Sequence, residues 1–269
     1  MLRSILKFGC CLFAIVLANA CLAGSITIVG GLTHEMSAKA GDIYTGTIVL
    51  QNDGDTGEEV NIYQTDYTFS CDGSTTYGEP GLLPRSNAPW IAFSPQNLNI
   101  PAYSQQTVEY TVTVPQADTL IGTYWSMLMV ETLPQSQTAY GQEDTRIGVD
   151  QVIRYGIQMV TNIGTSGMRK LQFLNTQLVR EDDAPILQID IANPGERLLR
   201  PLVWVELFDL DGNKTGIFES IVMRVYPETS VRHRIALTDL TEETYRALIV
   251  ADCGGDDLFG IHYTVEVNR

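Results

Sequence analysis

The side chains that could do chemistry are few and scattered. Three histidines occur, His34, His233 and His262, and none stands at metal-ligand spacing from another histidine, a cysteine or a carboxylate. His233 alternates with Arg232 and Arg234, and His262 lies in the final apolar-periodic stretch, so both read as sheet residues. The segment DLDGNKTG at 209–216 has the outline of a calcium loop, but Lys214 stands where an oxygen donor belongs and the twelfth position is Ser220 rather than Glu. Asp211-Gly212 between VWVELF and IFESIV predicts a hairpin turn instead. The acidic pairs Glu58-Glu59, Asp182-Asp183 and Asp256-Asp257 fall beside expected turns, where solvated carboxylates are ordinary. With no nucleophile elbow, phosphate loop or dinucleotide fingerprint, the chain reads as no enzyme, with no cofactor, no metal and no small-molecule substrate.

Charge narrows the partners. The formal charge is −15, and Arg3 and Lys7 sit in a leader, so the rest is more acidic still. Nucleic acid and anionic membrane surfaces need Lys and Arg to neutralise phosphates and are excluded as partners. Before residue 164 and beyond the leader, only Lys39, Arg85, Arg146 and Arg154 are cationic, against fifteen carboxylates. Arg154 therefore stands out. It either meets a partner's carboxylate in a charge-assisted bond or is an edge-strand charge that discourages aggregation.

The elements that must carry these residues follow an exported leader. MLRSILKFGCCLFAIVLANACLAGS has basic residues, an apolar run from Phe8 to Leu17 and small residues after it, the pattern of a secretory signal peptide, placed at 1–23. Cleavage before Cys21 would make that cysteine a lipidation site and tether the protein to a membrane. A lipoprotein site usually has Leu three residues upstream and a small residue two upstream, where this chain has Ala18 and Asn19, so ordinary cleavage near Ala23 is expected. Cys71 and Cys253 remain in the body, too few for a disulfide framework and expected as free thiols.

Beyond the leader, helical periodicity is nearly absent, and short runs of alternating apolar residues recur between turn residues. Seven strands are expected at Ser25–Gly31, Ile43–Gln51, Glu59–Phe69, Trp90–Phe93, Gln106–Val114, Thr123–Glu131 and Val149–Thr161. Seven more fall at Lys170–Val179, Ile186–Ala192, Leu199–Asp209, Gly216–Arg224, Ser230–Leu237, Tyr245–Asp252 and Phe259–Val267. This predicts an all-β chain of two consecutive immunoglobulin-like, seven-stranded β-sandwiches, at 24–163 and 164–269, joined by a Gly/Ser hinge in TNIGTSGMRK, 161–170.

The two halves repeat each other. GTYWSMLMVE at 122–131 matches ETYRALIVAD at 243–252, and Asn52-Asp53-Gly54 matches Asn193-Pro194-Gly195 after a strand in each case. Tyr124 and Tyr245 enter their strands where a hydroxyl can bond back to the preceding corner, and Trp90, Trp125 and Trp204 are expected to fill the cores. The interval from Asn52 to Tyr124 exceeds that from Asn193 to Tyr245 by ~20 residues, which fall in SCDGSTTYGEPGLLPRSNAP, 70–89, an inserted loop. A second long loop occupies 132–148.

Trp-Ile-x-Phe-x-Pro at 90–95, Leu98-x-Ile100-Pro101, VEYTVTVP at 108–115 and GTYWSMLMVE together resemble the first domain of periplasmic pilus-assembly chaperones. That likeness covers about half of the mature chain; the second half resembles the family in position and size. The resemblance implies a periplasmic protein whose seventh strand is a long edge strand that completes a client's unfinished sandwich, with basic residues in the interdomain cleft holding the client's C-terminal carboxylate. Here that strand is GVDQVIRYGIQMVTNI, 148–163, and the expected client-binding residues are Val149, Val152, Ile153, Arg154, Tyr155, Ile157 and Met159. The implied partner is a pilin-like or other surface subunit. The N-terminal strand SITIVGG contains no Arg, a departure from the family's basic anchors. The alternative reading is a structural or adhesive module at the cell surface, lipid-anchored through Cys21, with 70–89 as its contact loop.

Overall fold

A computed structural model describes residues 26–134, 152–182, 184–238, 240–241 and 243–267. The expected signal peptide, Cys21, Val149 and most of the 132–148 loop lie outside these residues.

Ten strands build the first sandwich: β1 (Ile26–Val29), β2 (Thr33–Ala38), β3 (Ile43–Asn52), β4 (Glu58–Phe69), β5 (Thr75–Gly78), β6 (Ile91–Ser94), β7 (Asn97–Ile100), β8 (Gln105–Thr113), β9 (Gly122–Thr132) and β10 (Arg154–Ile163). One sheet has the order β1-β3-β8-β6 and the other β2-β10-β9-β4-β5, with β7 also on β4. Alternation places Val108, Tyr110 and Val112 of β8 inside and leaves Thr107, Glu109 and Thr113 outside. They meet Ile48, Leu50, Ile62, Leu128, Val130 and Ile157 in one core.

Seven strands build the second: β11 (Gln172–Glu181), β12 (Ala184–Ala192), β13 (Leu202–Phe208), β14 (Lys214–Glu219), β15 (Ser230–Ala236), β16 (Thr244–Asp252) and β17 (Leu258–Glu266). Sheet β11-β12-β15 faces sheet β14-β13-β16-β17 across Leu187, Ile189, Ile191, Val203, Val205 and Ile249. The chain is thus all-β, with two immunoglobulin-like sandwiches. Each expected strand has a counterpart, but the one expected at Val149–Thr161 begins at Arg154 among the described residues and the one expected at Gly216–Arg224 ends at Glu219; β2, β5 and β7 are short additions to the first sandwich.

The repeated Asn landmarks make the same bonds. Asn52 Oδ1 accepts from Gly54 N at 2.9 Å, and its Nδ2 donates to Thr56 O at 2.7 Å and Ile100 O at 2.9 Å. Asn193 repeats this with Gly195 N at 2.9 Å, Arg197 O at 2.8 Å and Val225 O at 2.8 Å. Both side chains are fully buried, and each amide ties a turn carbonyl and a turn N–H to a neighbouring strand; Val225 O also accepts from Leu199 N at 3.0 Å. Between β13 and β14, Asp209 accepts from Asn213 N at 2.8 Å around Gly212 at φ 87°, the expected hairpin turn.

The tyrosines differ. Tyr245 Oη bonds Thr241 Oγ1 at 2.7 Å and Thr241 O at 3.2 Å, a corner tie as expected. Tyr124 makes no such bond among the described residues; it packs against Trp90 with ring centroids 4.7 Å apart and the rings tilted by 43°, and Arg85 lies over its ring at 5.6 Å. Arg85 belongs to the insertion and Trp90 to the 3-10 turn Ala88–Trp90 at its end, so the insertion takes the place of the corner tie.

Trp125 is also not a sandwich-core residue. β9 is buried on both faces: Leu128 and Val130 point into the first core, while Trp125, Met127 and Met129 join Tyr67, Val160, Leu198 and Tyr226 in a separate cluster between the sandwiches. Tyr226, from the second sandwich, is fully buried there, 5.1 Å from the Trp125 ring and 6.1 Å from those of Tyr67 and Phe69. Trp204 is half-buried on the outer side of β13, opposite the direction of Val203 and Val205.

The segment expected as a hinge is tied down. Arg197 Nη1 donates to Gly164 O and Ser166 O, each at 3.0 Å, and Gly122 N donates to Ser166 Oγ at 3.2 Å. Thr123 N donates to Glu196 O at 2.8 Å and Leu198 N to Thr123 Oγ1 at 2.9 Å. The backbones approach so closely that a Cβ on Gly122, at φ 75°, would stand 2.0 Å from Glu196 O. Gly here permits packing as well as turning.

Candidate functional site

β10 is paired unequally. On one side all of it, Arg154 to Ile163, runs antiparallel to β9. On the other, β2 runs parallel to Gln158 through Ile163 only, and Gln158 N donates to Leu32 O at 2.9 Å. At the start, Thr132 N donates to Ile153 O at 3.1 Å, which turns the backbone groups of odd-numbered residues toward β9. Those of Arg154 and Gly156 therefore face the same way as Gln158's, and among the described residues no strand covers them.

This corrects the expectation of a wholly free edge at 148–163: β2 covers its second half. The switch that puts β2 there is Gly30-Gly31, with Gly30 at φ 99°, where the first strand leaves one sheet and enters the other. THEMSA at 33–38 alternates through His34, Met36 and Ala38, a signal that reading 25–31 as one strand and stopping there missed.

The side chains also divide. Ile157 and Met159 are 0% and 2% exposed in the first core, so they are not offered to a partner as the sequence reading expected; the opposing sheet covers that face of β10. Tyr155 is half-buried, and its Oη donates to Ile26 O at 2.6 Å, closing the gap between the sheets. Val152 is exposed and Ile153 half-buried, with Ile153 N bonded to Thr132 Oγ1 at 3.2 Å. Arg154 is exposed and pairs with Glu131 Oε1 at 2.9 Å, while Tyr63 Oη donates to Glu131 Oε2 at 3.0 Å. The Arg154 hydrogen bond holds the Glu131 carboxyl below its ordinary range, outweighing burial. The guanidinium thus already holds a carboxylate of its own sheet.

Four residues on from Arg154, Gln158 lines a cleft of ≈ 460 Å³ between the sandwiches, walled by Phe69 and Cys71 on one side and Arg224, Tyr226 and Arg232 on the other. Gln158 Oε1 accepts from Tyr226 Oη at 3.0 Å and from Thr33 Oγ1 at 3.1 Å, tying edge, β2 and second sandwich together. Arg232 is clamped by both oxygens of Asp190, at 2.6 and 2.8 Å. Arg224 is exposed and has no ion pair among the described residues. Behind it, Tyr67 Oη is buried without a hydrogen-bond partner. Cys71 is half-buried at the rim, with its N–H on Ser230 Oγ at 2.9 Å; it and buried Cys253 are both free thiols. The cleft is cationic in an acidic protein and presents donors, a chemistry suited to an anionic or carbonyl oxygen. Arg224 was not singled out from the sequence, since only the fold brings residue 224 beside residue 158.

The inserted loop is half exposed and half structural. β5 is fully exposed, whereas Asp66, buried, accepts from Leu83 N at 2.8 Å and from Ser86 Oγ. Buried Asn87 donates to Met159 O and Thr161 Oγ1, both at 3.0 Å, and accepts from Ser126 Oγ at 2.6 Å.

No protein-family model matches this chain, and no curated protein matches it in sequence. Among solved structures it is similar to a chain of the chaperone–tip adhesin complex of CFA/I fimbriae biogenesis, at 12% identity and TM-score 0.48, covering 90% of this chain and 98% of that one. It is similar to the YadV chaperone at 12% identity and TM-score 0.45, covering 90% and 100%. It is also similar to a chain of the CsuC–CsuE chaperone–tip adhesion subunit pre-assembly complex of Acinetobacter baumannii, at 16% identity and TM-score 0.44, covering 78% and 89%. These similar structures are from the pilus chaperone family that the first-domain motifs resemble. With TM-scores below 0.5 they remain likenesses, and the sheets described above carry the fold.

Proposed function

We propose that this chain is a non-enzymatic, exported, periplasmic chaperone-like protein that binds an extracytoplasmic protein client by edge-strand pairing at 152–157. In this reading 1–23 is a removed leader, and 24–163 and 164–269 are the two domains. The observation that carries it is the uncovered half of β10, where Arg154 and Gly156 turn their backbone groups outward just before β2 begins. An added strand would lie in line with β2 and end against Leu32. The six positions 152–157 give it a reach of ~20 Å at ~3.3 Å per residue. Gln158, whose N–H is held by Leu32 O, lines the cleft, so the client's nearer end meets Arg224. That arginine, rather than Arg154 with its Glu131 partner, is the candidate anchor for a client carboxylate. The motif resemblance supports a pilin-like surface subunit as the client.

The test is Arg154→Pro against Arg154→Gln. Proline removes the outward N–H at an exposed edge position, where sheets tolerate it; glutamine removes only the charge. Co-purification with extracytoplasmic subunits encoded beside this gene should be lost with proline and kept with glutamine, while circular dichroism stays unchanged. Equal capture by both variants overturns the reading.

A further inference from the structure

A second concavity, of ≈ 390 Å³, lies at the seam between the linker and the β16–β17 turn, and it shares no lining residue with the cleft. Its wall is Thr165, Arg169, Arg197, Gly254, Gly255 and Asp257. Apart from Asp257 its side chains are donors. Arg169 faces Asp257 as an ion pair, without an aligned hydrogen bond from Nε, and its Nη2 donates to Cys253 O at 2.6 Å. Arg197 uses Nη1 on the two linker carbonyls. A guanidinium has five N–H donors, so each arginine keeps donors in hand after these bonds. Among the described residues the Thr165 hydroxyl and the Gly255 N–H have no hydrogen-bond partner.

The loop is shaped to leave that donor set open. Gly254 and Gly255 take φ 86° and 66° in succession, and a Cβ on either would meet nothing within 4 Å. The Gly254 N–H is taken by Asp252 Oδ1 at 2.7 Å, which leaves the Gly255 N–H as the open amide of the turn. Two half-buried guanidiniums lie in a wall whose one carboxylate is Asp257, and burial, then the nearby Arg169, lowers the Arg197 pKa against the opposing pull of Glu35. No sequence motif marked this site, because Arg169, Arg197 and Gly255 come from three separate segments.

We infer that this pocket binds a small oxyanion, a phosphate or a carboxylate, between the Arg169 and Arg197 guanidiniums and the Gly255 amide. Bridging the linker to the second sandwich, the anion would add ties to a segment already held by Arg197. The test follows amide and Arg side-chain NMR signals of the full chain while inorganic phosphate, and separately acetate, is added, with sodium chloride at matched ionic strength as the control. Saturable shifts of Gly255 and the two guanidiniums are expected with phosphate, acetate or both, and the stronger arm identifies the geometry preferred. Arg169→Gln should weaken binding about tenfold, the loss of one charge-assisted bond, and Thr165→Val, at an exposed and unbonded position, about threefold. Shifts that do not saturate, or that sodium chloride reproduces, overturn the site. So does undiminished binding in a folded Thr165→Val and a folded Arg169→Gln protein.

Discussion

Acid should weaken the second sandwich through one buried histidine. His233 is 1% exposed on the inner face of β15; its Nδ1 shares a 2.7 Å hydrogen bond with Ser220 Oγ, and its Nε2 has no partner. Burial without an acceptor or a carboxylate disfavours the imidazolium and lowers the pKa from 6.5 to about 4. The neighbouring cations Arg232 and Arg234 point to the other face, toward Asp190 and Glu181. The unfolded chain therefore binds a proton at higher pH than the folded one. Stability is whole above the unfolded value, falls as pH drops through 6.5, and stops falling below the folded value. Between pH 7 and pH 5 the unfolded state gains most of a proton and the native state almost none, a loss of about 2 kcal/mol from this residue alone.

The measurement is urea unfolding of the native chain and of His233→Gln at pH 7, 6 and 5, followed by hydrogen exchange at β12 and β15 amides. Carboxylates titrate in both proteins, so the difference between the two curves isolates the imidazole. The native protein should lose about 2 kcal/mol more than the variant across this range. Parallel curves would refute the reasoning, as would an imidazole that titrates by NMR near 6.5 in the folded state.

Three further outcomes follow from geometry. Tyr245→Phe should cost about 1 kcal/mol for its lost bonds to Thr241, while Tyr124→Phe, with no bond to lose, should be near neutral in the same denaturant assay. Asn193→Ala should cost about 1–3 kcal/mol, because Arg197 O and the Gly195 N–H lose their partner while Val225 O keeps the Leu199 N–H, and Asn52→Ala should cost about the same through Thr56 O and the Gly54 N–H; thermal melts of the pair check the equivalence. Gly122→Ala puts a Cβ against Glu196 O at positive φ and should destabilise the seam by about 2–3 kcal/mol, read as faster proteolysis within 164–170.

Most strands were legible because one buried face makes them alternate in sequence, as in β8 with Val108, Tyr110 and Val112. The Asn landmarks were legible because their chemistry is local: an amide can reach Gly54 or Gly195 only two residues ahead. What was not legible depended on distant segments. Thr-Tyr opens both β9 and β16, yet only Tyr245 ties a corner, because Trp90 and Arg85 are placed against Tyr124 by an insertion that the second half lacks. Which half of β10 stays open depends on where Gly30-Gly31 lets the first strand cross between sheets.

The repeated strand carried more information than its alignment with its copy suggested. ETYRALIVAD puts Arg246 on an exposed face, whereas WSMLMV in β9 has no charged residue at any position, and a strand apolar on both faces must be covered twice. The sandwich supplies one cover. The other is Leu198 and Tyr226, so the sequence of β9 already required a partner beyond its own domain. That second cover holds the sandwiches together along the sheet face whose next strand is β10, and Tyr226 Oη reaches Gln158 where the open edge ends. Loosening Tyr226 would therefore disturb the junction and the proposed client edge together, which makes the interdomain cluster part of the site's support.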